Sequence, residues 1–166
     1  FVALLPEKPE RGIEACQRGA KGIVGIRLKG QSSTGKALEA HPSLLQRVKG
    51  LSRWGEFTYR PVIGRQGRRL GREHRLALAM TGYLLENLQG APVTEGIALG
   101  NSNDGLEIEK VALRGGIQRQ LIEALGKMAV DLKRKESPPI TSDRRKCILC
   151  PWRGVCNNEA TEEGHL

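Results

Sequence analysis

Three cysteines near the C-terminal end are the residues of this chain whose type and spacing point most directly to chemistry. Cys147, Cys150 and Cys156 follow the pattern C-x2-C-x5-C. A C-x2-C turn directs two thiolates at one centre, and a third cysteine one short turn later can reach the same centre. Zn(II) and iron–sulfur clusters both prefer four such ligands, and the fourth cysteine of the chain is Cys16. We therefore predict a metal site of these four residues, which would hold the N-terminal segment and the C-terminal tail together.

An arginine-rich stretch is the second set of residues suited to binding. Between residues 60 and 75 the basic side chains are opposed only by Glu73, and the stretch leads into a predicted helix. Guanidinium groups and free backbone N–H groups at a helix N-terminus bind phosphates. A second basic group precedes the cysteines. The predicted nucleic-acid-binding residues are Arg65, Arg68, Arg69, Arg72, Arg75, Arg144, Arg145 and Lys146.

The overall charge favours the same partner. The net charge is +9 at pH 7 and the pI is near 9.8. Such a balance is typical of proteins that bind nucleic acid or another anionic surface, and the alternative is a solvated basic surface. We predict DNA as the partner, held by sequence-independent and salt-sensitive phosphate contacts.

Length and hydropathy favour a globular protein of one domain. A chain of 166 residues with 39% hydrophobic residues is long enough for one domain with a proper core. No apolar run is long enough to span a bilayer, and the residues after Phe1 do not form a signal-peptide pattern. We therefore predict a cytoplasmic protein in which disulfides are disfavoured. Because the first residue is Phe1 and not Met, we interpret the chain as part of a longer protein.

The elements that must position these residues alternate between strands and helices. Strands are predicted at residues 22–29, 55–63, 94–99 and 106–113, and helices at 12–20, 44–49, 73–89 and 117–135. The last of these helices should bury one apolar face, formed by Leu121, Ile122, Leu125, Met128, Ala129 and Leu132. The simplest arrangement is an α/β fold with a central mixed β-sheet flanked by helices. We divide the chain into an α/β core of residues 1–140 and a cysteine-rich metal-binding tail of residues 141–166 packed on that core.

Residues for hydrolysis do not form a pattern. His41, His74 and His165 are scattered and share no motif, while Glu107 and Glu109 alternate with apolar residues and should face solvent. None makes the carboxylate pair with a nearby lysine that metal-dependent phosphodiester cleavage requires. The glycine spacings match no nucleotide fingerprint, so we do not expect an ATP or NAD site.

Residues 59–156 resemble the RecB-like PD-(D/E)XK nucleases that carry an iron–sulfur cluster, a group that includes the CRISPR-associated RecB-like exonucleases and the AddB nuclease. In this family a P-V-E-x-K strand precedes a Q-x3-Y helix, a glycine-containing hairpin, a long helix, a Pro-Pro stretch and C-x2-C-x5-C. This sequence has Pro61-Val62-Ile63-Gly64-Arg65, then Pro138-Pro139 and the three cysteines. The resemblance implies a restriction-endonuclease-like fold and DNA as partner. It also implies a 4Fe–4S cluster held by the three cysteines of the tail, with Cys16 as the fourth ligand.

The positions that carry catalysis in that family hold other residues here. The metal-binding Glu falls at Ile63 and the catalytic Lys at Arg65, while the Gln and Tyr of the helix motif fall at Ala77 and Thr81. The family's Asp has no counterpart unless Glu56 serves. An isoleucine cannot ligate Mg(II), and arginine does not replace the compact, adaptable charge of lysine. We therefore predict a catalytically degenerate nuclease-fold protein that binds DNA, with Mg(II) or Mn(II) required only if activity remains.

Two alternatives stay open from the sequence. The chain is an active Mg- or Mn-dependent DNA exonuclease whose ligands lie elsewhere, or it is a non-enzymatic interaction module that binds zinc and protein partners in a larger complex. The metal separates the second alternative from the rest, because an iron–sulfur cluster absorbs visible light and zinc does not.

Overall fold

The chain forms two compact units in a computed structural model that describes residues 2–3, 8, 11–65, 69–102, 105–134, 147–148, 150–162 and 164. The first unit is Phe1–Lys127 and the second is Met128–Leu166. This division falls earlier than the predicted boundary at residue 140. The predictions for Arg68, Arg144, Arg145 and Lys146 lie outside the described residues.

The first unit is built on a mixed β-sheet. The strands are β1 (Val2–Ala3), β2 (Gly22–Val24), β3 (Leu28–Gln31), β4 (Ala37–Ala40), β5 (Leu44–Ser52), β6 (Gly55–Gly64), β7 (Glu95–Ser102) and β8 (Gly105–Ala112). Among the described residues, six of them form the main sheet in the order β1-β2-β5-β6-β7-β8, and β3 and β4 form a separate hairpin. The β1–β2 and β6–β7 pairs are parallel and the other pairs are antiparallel. The predicted α/β fold with a central mixed sheet is confirmed.

Four helices complete the described part of the chain. They are α1 (Arg11–Gln17), α2 (Arg72–Gln89), α3 (Gly116–Asp131) and, in the second unit, α4 (Arg153–Glu162). Helix α2 packs against β6, β7 and the β3–β4 hairpin. It buries the apolar side chains of Leu78, Leu84 and Leu85, as their helical spacing predicts. It ends at Gly90, whose left-handed backbone (φ 64°) lets its N–H donate to the Glu86 carbonyl.

The stretch from Leu44 to Lys49 was predicted as a short helix and is instead the first half of β5. Its residues pair in register with β6, from Leu44 opposite Val62 to Lys49 opposite Phe57. Leu45 is fully buried in the core. The prediction is wrong because the short apolar pattern fits either element, and pairing with a neighbouring strand decides between them.

The apolar face predicted for α3 is only partly buried. Leu121 is buried, whereas Ile122, Met128 and Leu132 are 55%, 58% and 83% exposed. The apolar spacing therefore indicated the helix correctly, but the burial of each residue depends on which element lies opposite. No helix in the described part of the chain has both the length and the apolar character needed to cross a membrane.

A buried amide holds α2 to the middle of β6. Gln89 is fully buried, and its Oε1 accepts a hydrogen bond from the Tyr59 N–H at 2.8 Å. Its Nε2 donates to the carbonyls of Tyr59 and Ala91 at 3.4 and 3.2 Å. Strands β6 and β7 pair only from Val62 and Ile97 onward. Tyr59 lies ahead of that point in β6, and the Gln89 side chain therefore satisfies its backbone N–H and carbonyl.

Candidate functional site

Three of the positions that the family resemblance assigns to catalysis line one pocket of the first unit. Ile63 of β6 and Ala77 and Thr81 of α2 all line a pocket of about 180 Å³. Odd-numbered residues of β6 face α2, and positions 77 and 81 lie one turn apart on the helix.

The inner walls of this pocket are largely apolar. Pro61, Ile63 and Met80 contribute apolar groups to its lining. The Thr81 hydroxyl donates to the Ala77 carbonyl at 2.8 Å, so its proton is used within the helix. Mg(II) is commonly held by carboxylate oxygens, and among the described residues that line the pocket only Glu39 carries a carboxylate.

Arg65 was predicted to bind nucleic acid at the surface, but the structure buries its side chain. Its side chain is 1% exposed and forms an ion pair with Glu107 of β8. Its backbone N–H donates to the Leu99 carbonyl at 2.7 Å. A Cβ atom on Gly100 would lie only 2.7 Å from the Arg65 Cζ, so glycine at that position gives the guanidinium its room. Arg65 therefore joins β6 to β8.

The two glutamates predicted to face solvent are partners of arginines. Glu107 pairs with Arg65 as described above, and Glu109 Oε1 lies 3.2 Å from Arg75 Nη2. Both glutamates point to the face of the sheet that carries α2, because alternate residues of a strand share a face. Their alternation with apolar residues correctly predicted a strand. It did not predict that arginines would lie against the two glutamates.

Glu56 cannot replace the aspartate of the nuclease motif. It lies near the start of β6, whereas Ile63 lies near its end. Seven residues of strand separate the two by about 23 Å at 3.3 Å per residue. Because one number is even and the other odd, their side chains also point to opposite faces of the sheet.

A carboxylate–imidazole pair at the pocket rim was missed by the sequence analysis. Glu39 and His41 both line the pocket, and Glu39 Oε1 and His41 Nε2 are 2.6 Å apart. Arg27 Nε lies 3.1 Å from the same oxygen. The His41 hydrogen bond, together with the positive charges of Arg27, His41 and Lys29, lowers the pKa of Glu39. The spacing of two residues would have shown one shared face if residues 37–41 had been recognised as a strand and its end.

The basic residues at the start of α2 are divided between solvent and ion pairs. Arg69 and Arg72 are exposed, and no ion pair is found for either among the described residues. Arg75 is also exposed but lies against Glu109. Helix α2 begins after Gly71, which provides no side-chain cap. The start of this helix therefore has two arginines without an acidic partner in the described chain, together with one acidic residue, Glu73, in its first turn.

The four cysteines lie in different environments. Cys16 of α1 has no exposed surface, and burial raises the pKa of its thiol to about 12. The other three belong to the second unit and are partly exposed. Cys150 N–H donates to the Cys147 carbonyl at 3.3 Å, which closes the C-x2-C turn, and Cys156 lies in α4.

The described residues contain no group of three or more His, Cys, Asp or Glu side chains in a metal-holding arrangement. The donor chemistry of the three tail thiols suits Zn(II) or an iron–sulfur cluster. The four-cysteine site stays a prediction.

The class of protein that the fold defines is an α/β protein with a mixed central sheet. No family model matches the chain, and no curated protein matches it. Seven chains of solved structures match it. One is the crystal structure of SSO0001, with a TM-score of 0.51 and 12% identity over 87% of this chain and 65% of that one. At this identity the likeness shows the fold alone, and the chain spans just under two thirds of the length of SSO0001.

Proposed function

We propose that this chain binds nucleic acid on a nuclease-like fold and does not cleave it at the motif positions. The residues that line the pocket support the absence of cleavage. Ile63, Ala77 and Thr81 offer no carboxylate where the resemblance requires ligands. Arg65, at the position of the family's lysine, is buried against Glu107. A metal-bound water cannot be generated by these groups.

The charge distribution supports the nucleic-acid half of the proposal. The chain carries a net charge of +9. Exposed Arg69 and Arg72 precede and begin an 18-residue helix whose N-terminus has no side-chain cap. Phosphates bind at such helix ends because the N–H groups and the helix dipole both favour negative charge. Contacts of this kind read no base sequence.

The salt dependence of DNA binding tests this surface. In fluorescence anisotropy with a short labelled duplex, log Kd should change linearly with log salt concentration. The Arg69→Ala/Arg72→Ala double variant should lower the slope by about 1.8, since each neutralised phosphate contributes about 0.9. The matched control is Arg18→Ala/Arg119→Ala, which removes the same charge from two other exposed positions. Equal slopes for the two double variants would contradict the role of the α2 N-terminus.

A cleavage assay tests the loss of catalysis. With Mg(II) or Mn(II) and single- or double-stranded DNA, we expect no cleavage. Glu39 is the one carboxylate among the described residues that line the pocket. Cleavage that Glu39→Ala abolishes would therefore favour the alternative, an active metal-dependent DNA exonuclease, and would refute the degenerate site.

We further propose a 4Fe–4S cluster bound by Cys147, Cys150 and Cys156. The support is their spacing and the C-x2-C turn closed by the Cys150 N–H. A cluster at this position would stabilise the C-terminal tail, because metal binding and folding are coupled where ligands must be brought together. Elemental analysis decides between iron and zinc. A colourless, zinc-loaded protein would support the interaction module instead.

A further inference from the structure

The pocket between α2, β6 and the β3–β4 hairpin has room for one small planar group. Its volume is about 180 Å³, well above what a single water molecule needs. Sites for drug-sized ligands are larger, about 300–1,000 Å³. The pocket can therefore enclose part of a ligand, of the size of one heterocyclic ring system, and not a whole nucleotide.

The walls of the pocket suit the faces of such a ring. Ile63 of β6 lies on one side, and Ala77 and Met80 of α2 contribute to the lining from the helix. Thr81 adds a hydroxyl that already donates to the Ala77 carbonyl. An unstacked base is held in proteins between apolar or aromatic groups in this way, because both of its faces need cover from water.

The rim of the pocket supplies a hydrogen-bond acceptor. Both His41 Nε2 and Arg27 Nε contact Oε1 of Glu39. Among the described residues, no hydrogen-bond donor is found on Glu39 Oε2. A carboxylate oxygen accepts hydrogen bonds from the exocyclic amine of cytosine or adenine. The rim therefore favours an amine-bearing base over one that presents a carbonyl at the same place.

The pocket and the phosphate-binding end of α2 belong to the same helix. Arg72 and Ala77 are five residues apart, or about 7.5 Å along the axis at 1.5 Å per residue. A strand whose phosphate contacts the N-terminus of α2 can therefore direct a neighbouring base to the pocket. We propose that this pocket takes one unstacked, amine-bearing base of a single-stranded nucleic acid, which rests on the proposed nucleic-acid binding and names its substrate class.

Filling the pocket tests its occupancy. Ala77 is exposed at the pocket mouth, so Ala77→Phe covers the pocket without repacking the core. The control is Asn87→Phe, an exposed position on the same helix. With a single-stranded oligonucleotide that carries 2-aminopurine, wild type and Asn87→Phe should change the fluorescence of the probe base. Ala77→Phe should abolish the change and weaken binding about tenfold, as loss of one held base does.

Base selectivity tests the acceptor at the rim. Oligonucleotides that differ only in one unstacked base, dC or dT, should bind wild type with at least about a fivefold preference for dC. Glu39→Ala should bring the ratio close to one. A ratio unaffected by this substitution would overturn the assignment of Glu39.

The outcomes separate this inference from the proposed function. If oligonucleotides bind with a steep salt dependence and Ala77→Phe behaves as Asn87→Phe, the pocket inference is refuted and nucleic-acid binding stands. If no oligonucleotide binds, but free cytidine shifts the methyl resonances of Ala77 and Met80 in NMR spectra, nucleic-acid binding is refuted and the pocket remains a base site. If neither ligand binds, both proposals are refuted.

Discussion

The buried amide of Gln89 should contribute a large share of the stability of the first unit. The Gln89→Leu substitution introduces an apolar side chain of similar size and removes the acceptor of the Tyr59 N–H, whose nitrogen lies 2.8 Å from Oε1. A buried donor left without a partner costs about 1–3 kcal/mol. The two weaker bonds from Nε2, to the carbonyls of Tyr59 and Ala91, are lost as well. We expect a total loss of about 2–3 kcal/mol, after the gain from the apolar side chain is subtracted.

Urea denaturation followed by circular dichroism measures this loss. For a urea m-value of about 2 kcal/mol/M, the midpoint should fall by about 1–1.5 M. The matched control is Asn87→Leu, which replaces an exposed amide of the same helix and should change stability by less than about 0.5 kcal/mol. If Gln89→Leu were no less stable than Asn87→Leu, the Tyr59 N–H would have another partner and the reasoning would be wrong.

The Gln89→Glu variant tests the direction in which the stability of the protein changes with pH. Its carboxyl group would lie against the carbonyls of Tyr59 and Ala91, where burial raises a carboxyl pKa and only the protonated form can donate. A raised folded-state pKa gives stability that is present at low pH and lost as the pH rises through it. Gln89→Glu should therefore be more stable at pH 5 than at pH 7, relative to wild type at the same two values.

Two further predictions concern the core and the tail. Tyr59 donates its hydroxyl proton to the Ala20 carbonyl at 2.7 Å, so Tyr59→Phe should cost about 1 kcal/mol. Burial above all, and then the nearby Cys16, raise the pKa of Tyr59 to about 12. Wild type should therefore lose stability in urea as the pH rises from about 10 towards 12, and an equally steep loss in Tyr59→Phe would contradict this cause. In the tail, Cys150→Ser should lower the bound iron and the visible absorbance together. Cys16→Ala tests the fourth ligand of the predicted four-cysteine set: a loss of iron would support that set, and unchanged iron would contradict it.

The sequence predicted the elements whose signals are local. Helix α2 was expected at residues 73–89 and is found at Arg72–Gln89, with Gly90 at its end. Strand β6 was expected at residues 55–63 and is found at Gly55–Gly64. Apolar periodicity and a terminal glycine act within a few residues, so the sequence alone contains this information. That Ile63, Ala77 and Thr81 stand at the motif positions of the resembled family was also visible from the sequence, because it follows from residue identity.

Tertiary structure decided which groups meet. Arg65 and Glu107 are 42 positions apart, and no local pattern indicates that one buries its charge against the other. Residues 44–49 became strand and not helix because β6 lies beside them. The same error concealed Glu39 and His41, whose shared face exists only at the end of a strand. Short apolar patterns fit two kinds of element, and only packing against distant segments selects one of them, together with the partners of every charged side chain.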